Sequence, residues 1–143
     1  MVALSGSETR LPNGHIQAMG FIHQIGDINK RNYIWVNYAE LLTGEAAIAA
    51  AIEAGVISQG EELETDYFIT PQDPERRQFE VSDSVIITTS SYGDIRERRI
   101  TWDEFRSYFS LEAAPEKVYL RDALWWIERD GDMVVRIDEQ YLP

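Results

Sequence analysis

The sequence predicts an α+β domain whose sheet is mostly antiparallel, with a small, partly open barrel as the alternative architecture. Three features predict this fold class: short segments rich in β-branched and aromatic residues, turn-forming residues between them, and two helix-like segments that interrupt them. In chain order the predicted elements are β-β-α-β-β-α-β-β. The 143 residues fit one domain, which we expect to span residues 15–143 after a flexible N-terminal lead-in, residues 1–14.

The first two strands are expected to form an antiparallel hairpin. The segment from His15 to Ile25 has the composition of a strand, in which Gly20 is a candidate bulge. The segment from Asn32 to Tyr38 is rich in aromatic and β-branched residues, which favours a second strand. The polar residues 27–32 between them predict the turn.

Two helices are predicted from the residues that begin and end them. Thr43 is a suitable N-cap for the first helix, and Gly55 suits the position just after its end. Thr101 is a suitable N-cap for the second helix, where Glu104 three residues later completes a capping box. Residues 112–117 follow as a predicted loop.

Further short strands are expected between the two helices. They are Tyr67–Ile69, Gln78–Val81 and Val85–Thr89, three segments where the order above counts two strands, with a turn at residues 82–83 and a loop at residues 90–94.

Residues 124–143 predict a hairpin that closes the chain. Asp130-Gly131 lies between two apolar runs, which is the signature of a type I′ turn with positive φ at both residues. Counting outward from this turn places Trp125 beside Arg136 on one face and Trp126 on the other. We expect Trp126 in the core and, because both faces carry large apolar groups, cover over at least part of both.

Charge and composition exclude several classes of partner and site. The net charge of −12 disfavours nucleic acids and anionic membrane surfaces, and the basic group at Arg96, Arg98 and Arg99 is expected to pair with neighbouring carboxylates. The chain has no cysteine, which excludes disulfides and thiolate sites. No apolar run approaches the roughly 18 residues of a spanning helix, and the N-terminus lacks the features of a signal peptide.

No pattern in the sequence predicts a cofactor, a metal centre or a catalytic group. In an unbroken strand the two histidines, His15 and His23, would lie roughly 26 Å apart, too far to share a metal ion. Nucleophile elbows and phosphate-binding glycine loops are absent. Carboxylates are abundant, yet nothing selects a pair across a cleft, as a glycoside hydrolase requires.

The aromatic side chains are the best candidates for a binding surface. Tyr33 and Trp35 share one face of the second strand, and Trp125 is expected beside Arg136 on the closing hairpin. An exposed aromatic face with a guanidinium group would suit a sugar ring or a peptide. The alternative is that these side chains belong to the core, the more frequent position for aromatic residues at strand spacing.

Four segments resemble, in the same order, motifs of a family of small uncharacterised bacterial proteins common in actinobacteria and firmicutes. They are residues 40–46, similar to EFLTGEEA, residues 66–69, similar to DYYI, residues 77–83, similar to RTLPVSPD, and residues 136–143, similar to RIEEQYLP. Residues 70–74 depart from the family, whose members carry an asparagine-rich turn there. Members often carry a secretion or lipoprotein signal, so the resemblance implies an extracytoplasmic location. It assigns no catalytic residue, because no activity is established for the family.

These observations leave three functional hypotheses. The first is a non-enzymatic extracytoplasmic domain that binds an envelope polymer or another protein. The second is a small hydrolase whose carboxylates converge in a cleft, and the third is a structural domain that forms a homodimer through a free sheet edge or the aromatic hairpin. An open aromatic groove favours the first, paired acids in a deep cleft the second, and a large apolar patch the third.

Overall fold

Strands dominate the computed structural model, which describes residues 3–90 and 97–142. The strands are β1 Thr9–Arg10, β2 Ile16–Ile28, β3 Arg31–Tyr38, β4 Leu41–Thr43, β5 Tyr67–Ile69, β6 Arg76–Thr89, β7 Arg98–Ile100, β8 Leu124–Asp130 and β9 Met133–Glu139. The helices are α1 Gly44–Glu53, α2 Trp102–Ser107 and α3 Pro115–Arg121. The predicted loop beyond residue 90, and Arg96 of the basic group, fall outside the described residues.

Five of the strands form a closed barrel. Their order around it is β2-β3-β6-β9-β8, and β8 pairs in turn with β2. Neighbouring strands in the barrel are antiparallel except β6 and β9, which are parallel. The alternative architecture, a small barrel with largely antiparallel pairing, is the one present, although the barrel is closed rather than partly open. β1 and β7 extend it at β2 and β6, while β4 and β5 form a separate two-stranded sheet.

The element order differs from the predicted one. β4 precedes α1, β7 precedes α2, and α3 begins inside the predicted loop at residues 112–117. Pro115 lies in the first turn of α3, where a proline is tolerated because that amide has no partner within the helix. β6 runs unbroken through residues 82–83, but its pairing with β9 lapses between residues 81 and 86, around the predicted turn.

A glycine allows β2 to pair with two neighbouring strands at the same residue. Gly20 pairs with Trp125 on β8 and also with Tyr38 on β3. A Cβ at this position would lie 2.7 Å from the carbonyl oxygen of Asn37, so the two backbones approach too closely for a side chain. The bulge expected at Gly20 lies instead at His23, where the register between β2 and β3 shifts.

The hairpin of β2 and β3 forms as the sequence predicts. Asn29 and Lys30 have φ angles of 53° and 66°, the positive values that a type I′ turn requires at both central residues. The side chain of Asp27 accepts a hydrogen bond from the backbone amide of Lys30 at 3.1 Å. This local hydrogen bond holds the turn, which offsets part of the cost of a positive φ at lysine.

The predicted helix ends are also present. Thr101 accepts a hydrogen bond from the backbone amide of Glu104 at 3.1 Å, which confirms the N-cap of α2. Gly55 follows α1 with a φ of +75°, the left-handed conformation expected at that position. Thr43 occupies the N-cap position of α1 but makes no capping hydrogen bond through its side chain.

The main hydrophobic core fills the barrel and extends to α2 and α3. The ring of Phe105 on α2 meets Trp125 on β8 edge-on, with centroids 5.2 Å apart. Such a contact adds about 0.5–1.5 kcal/mol beyond the area it buries. The largest side chains buried in this core are Trp125, Tyr108, Phe105, Ile34, Ile87, Leu120 and Ile137.

A second, smaller core lies on the other side of the closing hairpin. Its buried members are Met19, Ala39 and Leu124, and Phe21, Leu41, Ile69 and Trp126 pack against them. Leu41 and Ile69 belong to β4 and β5, so the two-stranded sheet covers this part of the barrel wall. The expected cover over both faces of the closing hairpin is confirmed.

The turn of the closing hairpin is displaced from its predicted place. The strands pair as far as residues 130 and 133, so Gly131 and Asp132 form the turn. Of these, Gly131 alone has a positive φ, 57°, which is the pattern of a type II′ turn rather than type I′. Val135 is bulged, because the register of β8 and β9 shifts beside it.

One of the two adjacent tryptophans, Trp125, does not lie where the sequence predicts it. Trp125 is 0% exposed inside the barrel, whereas Trp126 lies in the second core and donates from Nε1 to Oε1 of Gln140 at 2.7 Å. The expectation that Trp125 lies on the surface is therefore wrong, whereas Trp126 packs, half-buried, against the second core. Alternation places the two on opposite faces, but only closure of the barrel decides which face points inward.

The predicted lead-in contributes to the domain. β1 pairs with the start of β2, where Thr9 lies opposite Gln17. Glu8, just before β1, is 7% exposed and contacts side chains from the barrel. The described residues 3–14 therefore pack on the domain, and the predicted boundary at residue 15 does not separate them from it.

Candidate functional site on the outer face of the barrel

Tyr33 and Trp35 lie together on the outside of the barrel. Both belong to β3, in which the alternate residues Ile34 and Val36 are 0% exposed and point inward. The two rings are 6.3 Å apart between centroids and 46° apart in plane, and both side chains are half-buried. We call the outer surface of β2, β3 and β6 around this pair the aromatic face.

Gly26 on β2 makes room for the indole of Trp35. A Cβ at Gly26 would come within 3.1 and 3.2 Å of two carbons of the six-membered ring. The ring therefore lies over β2 at the residue that pairs with Tyr33. The aromatic pair thus extends across two neighbouring strands, which gives it the breadth of a stacking surface.

Planar polar side chains border the aromatic pair. Gln24 on β2 and Gln78 on β6 pair with Trp35 from its two sides, and both are exposed. Arg76, also exposed, donates to Oε1 of Gln24 at 2.5 Å. Amide and guanidinium groups beside an aromatic ring are suited to hydrogen-bonding the hydroxyl groups of a stacked ligand.

A shallow cleft continues the aromatic face toward the two hairpin turns. Glu80 lies opposite Tyr33 and is 3.4 Å from Nη1 of Arg31. The cleft has a volume of about 380 Å³, and its lining runs from Lys30 past Glu80 to Met133. It therefore lies between the turn of β2 and β3 and the turn of β8 and β9.

Arg136 does not stand beside Trp125, because the bulge at Val135 moves it to the opposite side of the hairpin. It pairs with Glu128 and lies on β9, separated from β3 by β6. Its Nε donates to Asp138 at 2.8 Å, and Glu97 lies 3.7 Å from its Nη2. The hydrogen bond to Asp138 is the main cause that raises the pKa of Arg136 above its ordinary value. The guanidinium is already neutralised by neighbouring acids.

Of the four predicted site residues, the structure brings two together. Tyr33 and Trp35 form the aromatic face, Arg136 lies elsewhere on the outer wall, and Trp125 is inside the core. The expectation that Trp125 and Arg136 form a binding surface is wrong, since no ligand can reach a side chain that is 0% exposed.

The two histidines occupy separate positions on the surface. His15 Nδ1 lies 2.6 Å from Glu128, and its Nε2 is 3.7 Å from Asp130. His23 Nε2 lies 2.6 Å from Oε1 of Gln72. Among the described residues no group of three or more histidines and carboxylates is placed to hold a metal ion.

A buried polar network that the sequence does not reveal joins the N-terminal segment to the barrel. Tyr38 donates to Oε2 of Glu8 at 2.6 Å, and Arg129 donates to the same oxygen at 2.9 Å. Ser5 donates its backbone amide to Oε1 of Glu8 at 2.9 Å. The side chains of Glu8 and Arg129 are 2% and 7% exposed. Nothing in the sequence pattern around positions 8, 38 and 129 predicts that these three side chains contact one another.

Burial and hydrogen bonding oppose each other in this network. Burial raises the pKa of Glu8, but the hydrogen bonds from Tyr38, Ser5 and Arg129, with the charge of Arg129, hold it below its ordinary value overall. Burial and the hydrogen bond to Glu8 raise the pKa of Tyr38. The network is therefore a carboxylate held ionised by a phenol and a guanidinium.

Comparison with known proteins adds no relative. No protein-family model, curated protein or solved structure matches this chain. Across the described residues, every helix is too short or too polar to traverse a bilayer.

Proposed function

We propose that this protein is a non-enzymatic binding domain that holds a neutral saccharide polymer of the cell envelope on the aromatic face. The observation that carries the proposal is the adjacent pair of Tyr33 and Trp35, whose rings lie 6.3 Å apart on the outside of the barrel. Aromatic rings bordered by planar polar groups stack on the apolar face of a sugar while its hydroxyl groups are hydrogen-bonded.

The strand connectivity supports the same location. Numbered in chain order, the barrel strands follow the circular order 1-2-3-5-4, with the third and fifth parallel. This is the connectivity of oligonucleotide/oligosaccharide-binding (OB) barrels, which bind ligands on their second and third strands and between the loops joining strands 1–2 and 4–5. Here those strands are β3 and β6. Similar connectivity is an analogy of fold and does not by itself establish binding. The chemistry that supports saccharide binding comes from the side chains of the aromatic face.

Charge selects between the two ligand classes that such barrels bind. The net charge of −12 repels a polyanion such as a nucleic acid or an acidic glycan. At the edge of the aromatic face, Nη1 of Arg31 lies 3.4 Å from Oε1 of Glu80, so the charge of this guanidinium is partly neutralised. A neutral chain of hexopyranose units fits these charges, and an extracytoplasmic location, implied by the family resemblance, would expose the domain to such polymers.

The test is a glycan array followed by titration calorimetry of wild type, Tyr33→Ala and Trp35→Ala. Each substitution should weaken binding of a neutral oligosaccharide by roughly tenfold, about 1.4 kcal/mol, the scale of one aromatic stacking contact. Tyr119→Ala is the matched control, since Tyr119 is 58% exposed and lies on α3, away from the aromatic face. Equal binding by wild type and Trp35→Ala would refute the proposed surface, and release of reducing sugar would favour the hydrolase hypothesis.

A further inference from the structure

The acidic residues are distributed unevenly along the chain. Residues 32–75 contain no lysine or arginine, although the whole chain has 13 of them. The same stretch carries these carboxylates: Glu40, Glu45, Glu53, Glu61, Glu62, Glu64, Asp66, Asp73 and Glu75. A stretch with one sign of charge produces a local negative electrostatic field where its carboxylates are not paired with cations from elsewhere in the chain.

Most of this stretch folds as a small unit on the outside of the barrel. β4 and β5 pair with each other, and α1 packs against both. Within the described part of the chain, Asp73 and Glu75 form ion pairs with Arg77, whereas the seven carboxylates from residue 40 to residue 66 form none. These seven charges are therefore available to an external partner.

The same unit carries a cleft of about 550 Å³ whose lining is partly apolar and partly acidic. Its apolar lining comes from β5 and from the segment after α1, and includes Val56, Ile57, Leu63 and Phe68. Glu61, Glu62 and Glu64 line the same cleft. A neighbouring depression of about 380 Å³ shares Leu63 and reaches Ile48 on α1.

Exposed apolar side chains mark this cleft as uncovered. Val56, which lines this cleft, is 63% exposed, and Ile48, which lines the neighbouring depression, is 37% exposed. Apolar surface that is bordered by carboxylates of one sign is complementary to a segment that carries both apolar and cationic side chains. It is not complementary to an anionic membrane.

We propose that the unit of β4, α1 and β5 is a docking surface for a basic amphipathic segment of a partner protein. The apolar side chains of that segment fill the cleft beside Val56 and Leu63, and its lysine or arginine side chains pair with Glu61, Glu62 and Glu64. This surface is independent of the aromatic face. A divalent cation is the competing occupant, but no described cluster of acids has the arrangement of a metal site.

The test uses a labelled 18-residue amphipathic peptide of lysine and leucine, with a glutamate–leucine peptide of the same pattern as the negative probe. Fluorescence anisotropy should show saturable, salt-sensitive binding of the basic peptide to the wild-type protein. The triple variant Glu61→Gln, Glu62→Gln, Glu64→Gln should weaken it at least tenfold, and Val56→Ser should weaken it several-fold. Trp35→Ala should leave it unchanged, which separates this surface from the saccharide site.

The matched control removes the same number of charges from α2, from α3 and from the loop between them. Asp103→Asn, Glu112→Gln, Glu116→Gln should leave binding within twofold of wild type. Equal weakening by both triple variants would show attraction to overall charge and overturn the proposal. Unsaturable binding would overturn it as well. A rise in melting temperature on addition of Ca²⁺ that is absent from the Glu61→Gln, Glu62→Gln, Glu64→Gln variant would also overturn the proposal. That result would show that these carboxylates bind a cation.

Discussion

Removing the buried carboxylate of Glu8 should destabilise the domain substantially. Glu8→Ala would leave Arg129 with 7% of its side chain exposed and without the carboxylate that now lies 2.9 Å away. Breaking one side of a buried ion pair costs about 3–5 kcal/mol. We expect about 3 kcal/mol, at the lower end, because the short N-terminal segment can detach and let water reach Arg129.

Chemical denaturation with a series of variants measures this cost. Glu8→Gln keeps the shape and one acceptor, so it should lose less than Glu8→Ala. Tyr38→Phe removes one hydrogen bond and should lose about 1 kcal/mol. Glu8→Ala combined with Arg129→Met should recover part of the loss, since the buried guanidinium, left with the exposed Asp132 at 3.7 Å as its ion-pair partner, is then gone.

The pH dependence supplies a second readout. The pKa of Glu8 in the folded protein lies below its ordinary value of 4.5, so its ionised form stabilises the fold above that pH. This contribution is lost as the pH falls below 4.5 through the lower folded pKa. The stability difference between wild type and Glu8→Gln should therefore be constant near neutrality and shrink below pH 4.5. A difference of under 1 kcal/mol for Glu8→Ala, unchanged by pH, would refute the reasoning.

Three further predictions concern the barrel and its closing hairpin. Gly20→Ala places a Cβ 2.7 Å from a backbone oxygen, so it should cost about 3 kcal/mol in denaturation, more than Gly26→Ala, whose Cβ meets only a movable ring at 3.1 Å. Gly131→Val should lower stability by about 1–2 kcal/mol, because φ is +57° there; an unchanged melting temperature would contradict the turn. Trp125→Ala should cost about 3–5 kcal/mol, and Trp126→Ala less; the reverse order would contradict the assigned burial.

Local signals explain which features of the fold could be predicted. The N-cap of α2 at Thr101, the glycine that follows α1 and the glycine of the closing turn each depend on residues within a few positions of one another. The displaced turn and the bulge at Val135 could not be predicted, because register is set by how both strands pair within the whole barrel.

Some features of the candidate site also follow from the sequence, whereas others depend on the tertiary structure. The alternation of β3 determined that Tyr33 and Trp35 share a face, and the sequence alone also determined the charge imbalance of residues 32–75. Only the tertiary structure decided that this aromatic face points outward, that Trp125 points inward, and that Glu8 meets Tyr38 and Arg129. The physical reason is that both faces of these strands are apolar. Which face becomes the interior depends on barrel closure, a contact between strands more than 90 residues apart in the chain.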